Sequence, residues 1–98
     1  LWHSADPDHD NVIGLSELLR AIQFYNSEGY HCQEGTEDGY APALGDAMCI
    51  PHDSDYNPQD WLINLSELLR LIQFYNSKGY HACPEEVPAT EDGYCVGN

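Results

Sequence analysis

The chain has 98 residues, and 17 acidic side chains face only three basic ones, Arg20, Arg70 and Lys78, for a formal net charge of −14. That balance argues against nucleic acid and against anionic membrane surfaces, since both are held by Lys/Arg patches, and it favours cations. A chain this short buries only about 60–65% of its unfolded surface, so staples such as metal ions, disulfides or oligomerisation are expected.

Seven tyrosines, two tryptophans and two phenylalanines point to packed structure or an interface rather than disorder. No stretch approaches the length of a membrane span, so no membrane insertion is expected. The chain opens on Leu1 rather than Met, which predicts a processed or excised segment whose export signal is already gone. Four cysteines, Cys32, Cys49, Cys83 and Cys95, lack C-x-x-C spacing and predict disulfides and a secreted, extracellular protein. A four-cysteine zinc site is the rival, and spacings of 16, 33 and 11 intervening residues suit it poorly.

The first element is an acid-rich loop, "DPDHDNVIGLSE", residues 6–17. Ca²⁺ takes six to eight oxygens, and an EF-hand loop supplies them from positions 1, 3, 5, a carbonyl at 7, often a water at 9 and a two-oxygen acid at 12. Those positions fall on Asp6, Asp8, Asp10, the Val12 carbonyl, Gly14 through water, and Glu17. Position 6, where the turn wants Gly, is Asn11, which tolerates the left-handed conformation better than other non-glycine residues. Ile13 stands at position 8, where paired loops form a small bridge.

A helix follows. Leu15, Leu18, Leu19, Ile22 and Tyr25 recur at helical spacing, Gly14 and Glu17 fall at the N-cap and N3, and Gly29 stands where a C′ glycine belongs. Roughly 11–13 residues are too few for an isolated helix in water, so its apolar face must pack on its twin or on a partner. Residues 33–51 are rich in Gly, Pro, Ala and acid and read as an irregular tail. It contains "TEDGY" (36–40), a turn whose Glu37 and Asp38 receive no role from the sequence.

The chain then repeats itself. "LSELLRAIQFYNSEGYH" (15–31) returns as "LSELLRLIQFYNSKGYH" (65–81), identical at fifteen of seventeen positions, which indicates duplication of one supersecondary unit. "HSAD" (3–6) matches "HDSD" (52–55), and "TEDGY" returns at 90–94. Two repeats with their tails, 1–49 and 50–98, result. Aligning the leaders makes Asp55 position 1 of a thirteen-residue second loop with ligands Asp55, Asn57, Asp60, the Leu62 carbonyl, Asn64 and Glu67. A start at Asp53 is the less favoured alternative. Trp61 takes the glycine position, where it covers the ion or anchors a neighbour. "NLSE" (64–67) has capping-box spacing, and Leu65, Leu68, Leu69, Ile72 and Tyr75 repeat the apolar positions. Two Ca²⁺ ions are expected, with the first loop gaining more from Coulomb attraction and Pro58 rigidifying the second. A symmetric pairing, Cys32–Cys49 and Cys83–Cys95, would close each tail with roughly 3 kcal/mol apiece; two other connectivities stay open.

Neither "LWHSA" nor "CIPHDS" reads as an entering helix. A loop plus exiting helix, duplicated, is the half-motif called the F-hand, and over 3–31 and 52–81 the chain resembles the dockerin domains of bacterial extracellular assemblies. The expected fold is mainly α: two F-hand calcium-binding repeats packed as a small dockerin-like unit, as the resemblance implies, with the irregular, disulfide-closed tails read above and little strand. The resemblance also implies Ca²⁺ at Asp6, Asp8, Asp10 and Glu17 and at Asp55, Asn57, Asp60 and Glu67, and helix-mediated docking to a cohesin-type partner. The chain departs from dockerins in closing each loop with Glu and in its cysteines.

The side readings are quieter. His3/His52 and His31/His81 are expected beside packed tyrosines rather than on a transition metal. "NLS" (64–66) is read as chance, and Thr36 and Thr90 are candidates for O-linked sugar. No Ser/His/Asp, Cys/His or phosphate-loop pattern appears, so no enzyme is expected. The leading expectation is an extracellular, non-catalytic Ca²⁺-binding structural protein that self-assembles head to tail into a filament or surface array. A dockerin-like adhesion module is the alternative. An intracellular calcium sensor is disfavoured by the cysteines, the missing entry helices and the single Met.

Overall fold

The computed structural model describes residues 2–85 and 90–97; the stretch 86–89 of the second tail lies outside the described residues, as do positions 1 and 98. Six elements follow one another: α1 (Leu15–Asn26), β1 (Tyr30–Cys32), β2 (Tyr40–Pro42), α2 (Leu65–Asn76), β3 (Tyr80–Ala82) and β4 (Tyr94–Val96). β1 pairs antiparallel with β2 (Tyr30 opposite Pro42, Cys32 opposite Tyr40), and β3 with β4 (Tyr80 opposite Val96, Ala82 opposite Tyr94). The mainly α expectation with irregular tails is therefore corrected. Each repeat is a loop, a helix and a β-hairpin, and the domain is mixed α/β.

The hairpins form for local reasons. In the first tail, the Thr36 hydroxyl accepts from the Gly39 amide, and the Asp38 carboxylate accepts from the Tyr40 amide. Arg20 then reaches from α1 to hold Asp38 at 3.0 Å and the Tyr40 carbonyl. The second tail repeats this with Thr90, Asp92, Tyr94 and Arg70. A disulfide closes each tail, Cys32–Cys49 and Cys83–Cys95. Asp38 and Asp92, to which the sequence assigns no role, thus anchor hairpin to helix. Each guanidinium also lies over a phenylalanine of its own helix, 5.0 Å from Phe24 and 4.8 Å from Phe74, where cation–π attraction adds to the ion pair.

The helices bury part of the expected face: Leu18 and Leu68 are buried and Ile22, Ile72 and Tyr75 pack against the core, but the other expected leucines do not. Leu18, Ala21 and Phe24 are buried on α1, and Leu68, Leu71 and Phe74 on α2. Leu15, Leu19, Leu65 and Leu69 are about half exposed, from 49% to 58%. Both stripes have helical spacing, so periodicity alone could not rank them; the 18–21–24 stripe carries the bulk of Phe24, which has no exposed surface. Each helix ends in a Schellman turn, with Gly29 N–H donating to the Phe24 carbonyl (3.3 Å) and Gly79 N–H to Phe74 (3.4 Å). The left-handed C′ residue is Glu28 (φ 58) or Lys78 (φ 61), one before the expected glycine. Gly29, the next residue, has φ 143, a conformation that side-chain-bearing residues rarely adopt, and a Cβ there would also press on the exposed Leu44 side chain at 2.7 Å.

The two repeats share one core around a pseudo-two-fold axis. Phe24, Phe74, Tyr30 and Tyr80 have no exposed surface, and truncating one of the phenylalanines costs about 3–5 kcal/mol. Ile13 and Ile63 join this core; the ladder expected between the loops at these positions is not formed among the described residues. Instead the Tyr30 amide donates to the Trp61 carbonyl (3.2 Å) and the Tyr80 amide to Asn11 (3.1 Å). Among the described residues, no helix is long and apolar enough to cross a membrane.

Candidate metal centres

The first loop turns back on Asp6, which is fully buried. Its Oδ1 accepts from the Asp10 amide (3.2 Å), and its Oδ2 from the Asn11 amide (3.0 Å). Asn11 adopts φ 60, the left-handed turn that position 6 demands. Asp10 Oδ1 accepts from the Val12 amide (3.0 Å), and Glu17 Oε1 from the Gly14 amide (2.8 Å). Gly14 is the N-cap of α1, so the closing acid of the loop is also the N3 residue of the helix. As a result Asp6, Asp8, Asp10 and Glu17 each bring an oxygen within 4.8 Å of the others. Burial pushes the Glu17 carboxyl up to about 7; the Gly14 amide offsets part of this, and Asp8 and Asp6 push it further up.

The second loop reaches the same constellation with one more residue. Asp55 Oδ1 accepts from the Asp60 amide (3.0 Å), and its Oδ2 from the Trp61 amide (2.9 Å) and the Gln59 amide group (3.0 Å). Trp61 sits at φ 64, with its ring 4.9 Å from that of Tyr30. Glu67, fully buried, accepts from the Asn57 amide (2.7 Å) and the Asn64 amide (2.9 Å). Asp55, Asp60 and Glu67 bring oxygens within 4.8 Å of one another. Burial raises the Glu67 carboxyl as well, against the Asn64 and Asn57 amides.

Two expected positions are used otherwise. Asn64 caps α2: its Oδ1 accepts from the Glu67 amide (2.9 Å), and its Nδ2 donates to the Asn57 carbonyl (2.9 Å). Asp53, the rival loop start, lies outside the cluster and accepts instead from the Ser4 amide (2.8 Å) and hydroxyl (2.9 Å).

No family model, curated protein or solved structure matches this chain. The site is therefore read from its own geometry. Every side-chain donor gathered in the two clusters is a carboxylate oxygen, which suits a hard cation such as Ca²⁺. The clusters hold four and three carboxylates, while both arginines are engaged with Asp38 and Asp92. Asp6, Asp55 and Glu67 are buried while Asp8, Asp10 and Asp60 are exposed, so each cluster could hold a metal ion at a partly open site.

The residues that sequence reasoning missed are two tyrosines reaching in from the opposite repeat. The Tyr80 hydroxyl donates to Asp6 Oδ2 (2.6 Å), and the Tyr30 hydroxyl to Asp55 Oδ2 (2.7 Å). Each hydroxyl in turn accepts a leader amide, from His3 (2.9 Å) and His52 (3.0 Å). Burial, with the adjacent aspartate adding to it, raises both phenols far above their ordinary value. The only sequence signal was the repeated "GYH" after each helix.

His9 stacks on Trp2, with ring centroids 4.8 Å apart, and the other four histidines divide into two pairs. His3 and His52 are 2% exposed among Phe, Tyr and each other. Burial pushes them down to about 4 and about 3, so both are neutral near pH 7. Each Nδ1 accepts a nearby amide, Ala5 (3.1 Å) or Ser54 (3.0 Å). His31 and His81 lie nearer the surface, and their Nδ1 atoms donate to the Ala43 and Gly97 carbonyls at 2.6 and 2.7 Å.

Proposed function

We propose that this chain is an extracellular, non-catalytic structural module that folds around two Ca²⁺ ions and assembles with copies of itself into a filament or surface array. The observation that carries the reading is the paired cage: two loops of different length and sequence bring carboxylates together at the same steps of both repeats. Asp6, Asp8, Asp10 and Glu17 would hold one ion, and Asp55, Asp60 and Glu67 the other. The Val12 and Leu62 carbonyls, Asn57 and waters would complete the shells. Each ion would offset two of the negative charges in a cluster whose last acid opens a helix, so ion binding and helix formation are one event.

Two disulfides support an oxidising, extracellular setting. The half-exposed leucine pairs on α1 and α2, with the highly exposed Met48 and Ile50 of the linker, supply apolar surface for contacts between copies. The joint that would link copies head to tail is made inside the chain: Tyr40 donates to the Ile50 carbonyl (2.7 Å), and Tyr94 to the Trp2 carbonyl (3.1 Å). Growth through that joint requires the leader Trp2–Asp6 to leave its own Tyr94 and Tyr80 and seat on those of the next copy.

A dockerin-like module that binds a cohesin-type partner is the second reading. The near-identical leucine faces on the two helices favour it, and so does charge: two dications reduce −14 only to −10, which opposes self-association at low salt. Electron microscopy and sedimentation with and without chelator separate the two. Filaments that dissolve in chelator support assembly, and a monodisperse Ca²⁺-loaded monomer at every salt concentration supports docking.

A further inference from the structure

We propose that the two cages fill as one cooperative unit, because Tyr80 and Tyr30 each position the first carboxylate of the other repeat's loop; the inference rests on the Ca²⁺ reading above. The contacts form a closed circuit. In the first loop, Asp6 takes the Tyr80 hydroxyl at 2.6 Å, and the Asn11 carbonyl takes the Tyr80 amide at 3.1 Å. Tyr80 follows the end of α2 by four residues, and α2 contains Glu67 in its first turn, the closing acid of the second loop. In that loop Asp55 takes the Tyr30 hydroxyl at 2.7 Å, and the Trp61 carbonyl takes the Tyr30 amide at 3.2 Å. Tyr30 follows α1, which contains Glu17 in its first turn, the closing acid of the first loop.

Each tyrosine therefore grips the opposite loop at two points, positions 1 and 6. Those two points are themselves tied, since Asp6 accepts the Asn11 amide and Asp55 the Trp61 amide. An ion that fixes Asp6 fixes Tyr80, the end of α2 and so the frame that carries Glu67; an ion that fixes Asp55 does the same for Glu17 through Tyr30. The ordering done by the first ion need not be repeated by the second, which is positive coupling. The leaders reinforce it: Ser4 Oγ accepts from the Asp53 amide (3.0 Å) while Ser4 donates to the Asp53 carboxylate. Tyr30 and Tyr80 are positioning residues, each donating its hydroxyl proton to the first carboxylate of the opposite loop.

The test is calorimetric titration of the full, oxidised, chelator-treated chain with Ca²⁺ alone. The wild type should bind two ions with a Hill coefficient above about 1.5. Glu17→Gln, which disables the first cage, should weaken the second, intact cage roughly tenfold. Tyr30→Phe with Tyr80→Phe should leave two ions bound with a Hill coefficient near 1, whereas a merely structural role for the hydroxyls would lower both affinities and keep the sigmoidal shape. Circular dichroism at saturating Ca²⁺ checks that the phenylalanine pair folds; if it does not, the wild-type isotherm and the Glu17→Gln arm decide the matter. Two ions binding independently, with the second cage indifferent to Glu17→Gln, would overturn the coupling while leaving the Ca²⁺ reading standing. Absence of Ca²⁺ binding in every arm would overturn both.

Discussion

The two loops place carboxylates at the same steps by different means. The first is twelve residues long, gathers four carboxylates, and gives Glu17 one recorded backbone donor, Gly14. The second spends thirteen residues on three carboxylates, but Glu67 is fully buried and takes two amides, and Asn64 ties the helix start back to Asn57. One cage is rich in charge and lightly braced; the other has less charge and more bracing. Coulomb attraction and pre-organisation are alternative ways to hold a dication, and a duplicated unit has room to try both.

The largest effect that tests this contrast is removal of the ions. At free Ca²⁺ a thousandfold above Kd, each site adds about 4 kcal/mol, so two add about 8 kcal/mol. Chelator should therefore melt much of the helix signal in circular dichroism. With one cage disabled at a time, by Glu17→Gln or Glu67→Gln, the surviving first cage should lose affinity more steeply with added salt than the surviving second, because charge is screened and bracing is not. Equal salt slopes would break the contrast.

Acid acts next, on the core that the repeats share rather than on the loops that distinguish them. His3 and His52 fall from 6.5 to about 4 and about 3 on folding. The unfolded chain therefore binds more protons than the folded one below pH 6.5, and stability is lost as pH falls toward 4. The two together amount to on the order of 5 kcal/mol. Glu17 works the other way in Ca²⁺-free protein: its value rises from 4.5 to about 7, so its penalty is felt as pH climbs through 7 and is relieved by acid. The difference in urea stability between wild type and a His3→Asn,His52→Asn variant, both under saturating Ca²⁺, followed from pH 7 to pH 4.5, isolates the histidines. A flat profile there would show that the imidazoles can ionise in place.

Much of this arrangement could be read from the chain. The repeat, both helices and the spaced acids were visible because they are periodic and local. The hairpins were not: "YHC" and "YAP" are three-residue strands, too short to show an alternating pattern, and although Thr36 and Asp38 close the turn locally, the Arg20–Asp38 contact that ties it to the helix spans eighteen residues. The crossing tyrosines were hidden for the same reason, since 74 residues separate Tyr80 from Asp6. The helix face was only partly legible: Leu18, Leu68, Ile22 and Ile72 pack on the core as their spacing suggests, but Leu15, Leu19, Leu65 and Leu69 stay exposed, because two apolar stripes share one helix and tertiary packing decides which is covered.

The tails offer a middle-sized comparison. Cys32–Cys49 spans 17 residues and Cys83–Cys95 spans 12, lengths at which loop entropy predicts nearly equal stabilisation of about 3 kcal/mol each. The first bridge does something further: it fixes the linker three residues before the His52 leader enters its aromatic seat, whereas the second lies within its own hairpin. Replacing each pair by alanine should cost similar stability in urea, but only loss of Cys32–Cys49 should speed proteolysis of the linker between repeats. Equal linker cleavage in both variants would remove that distinction.

The smallest effect falls at position 6, where both loops take a left-handed turn with a residue other than glycine. Asn11 has φ 60 and its side chain makes only a long contact, 3.5 Å, to the Tyr80 carbonyl. Asn11→Gly relieves a little strain and loosens the unfolded chain by a similar amount, so stability should shift by less than about 0.5 kcal/mol. Trp61 has φ 64, where a bulky residue is strained by about 1 kcal/mol, yet its ring packs on Tyr30 in the core. Trp61→Gly relieves that strain but strips an aromatic side chain whose loss costs about 3 kcal/mol, leaving a net loss of about 2 kcal/mol. Thermal unfolding of the two variants under saturating Ca²⁺ reads the difference. If both substitutions prove neutral, the tryptophan is a tolerated accident of the longer loop; if they diverge as expected, the second loop holds its turn by anchoring it to the opposite repeat, which the first loop leaves to asparagine's own tolerance of the turn.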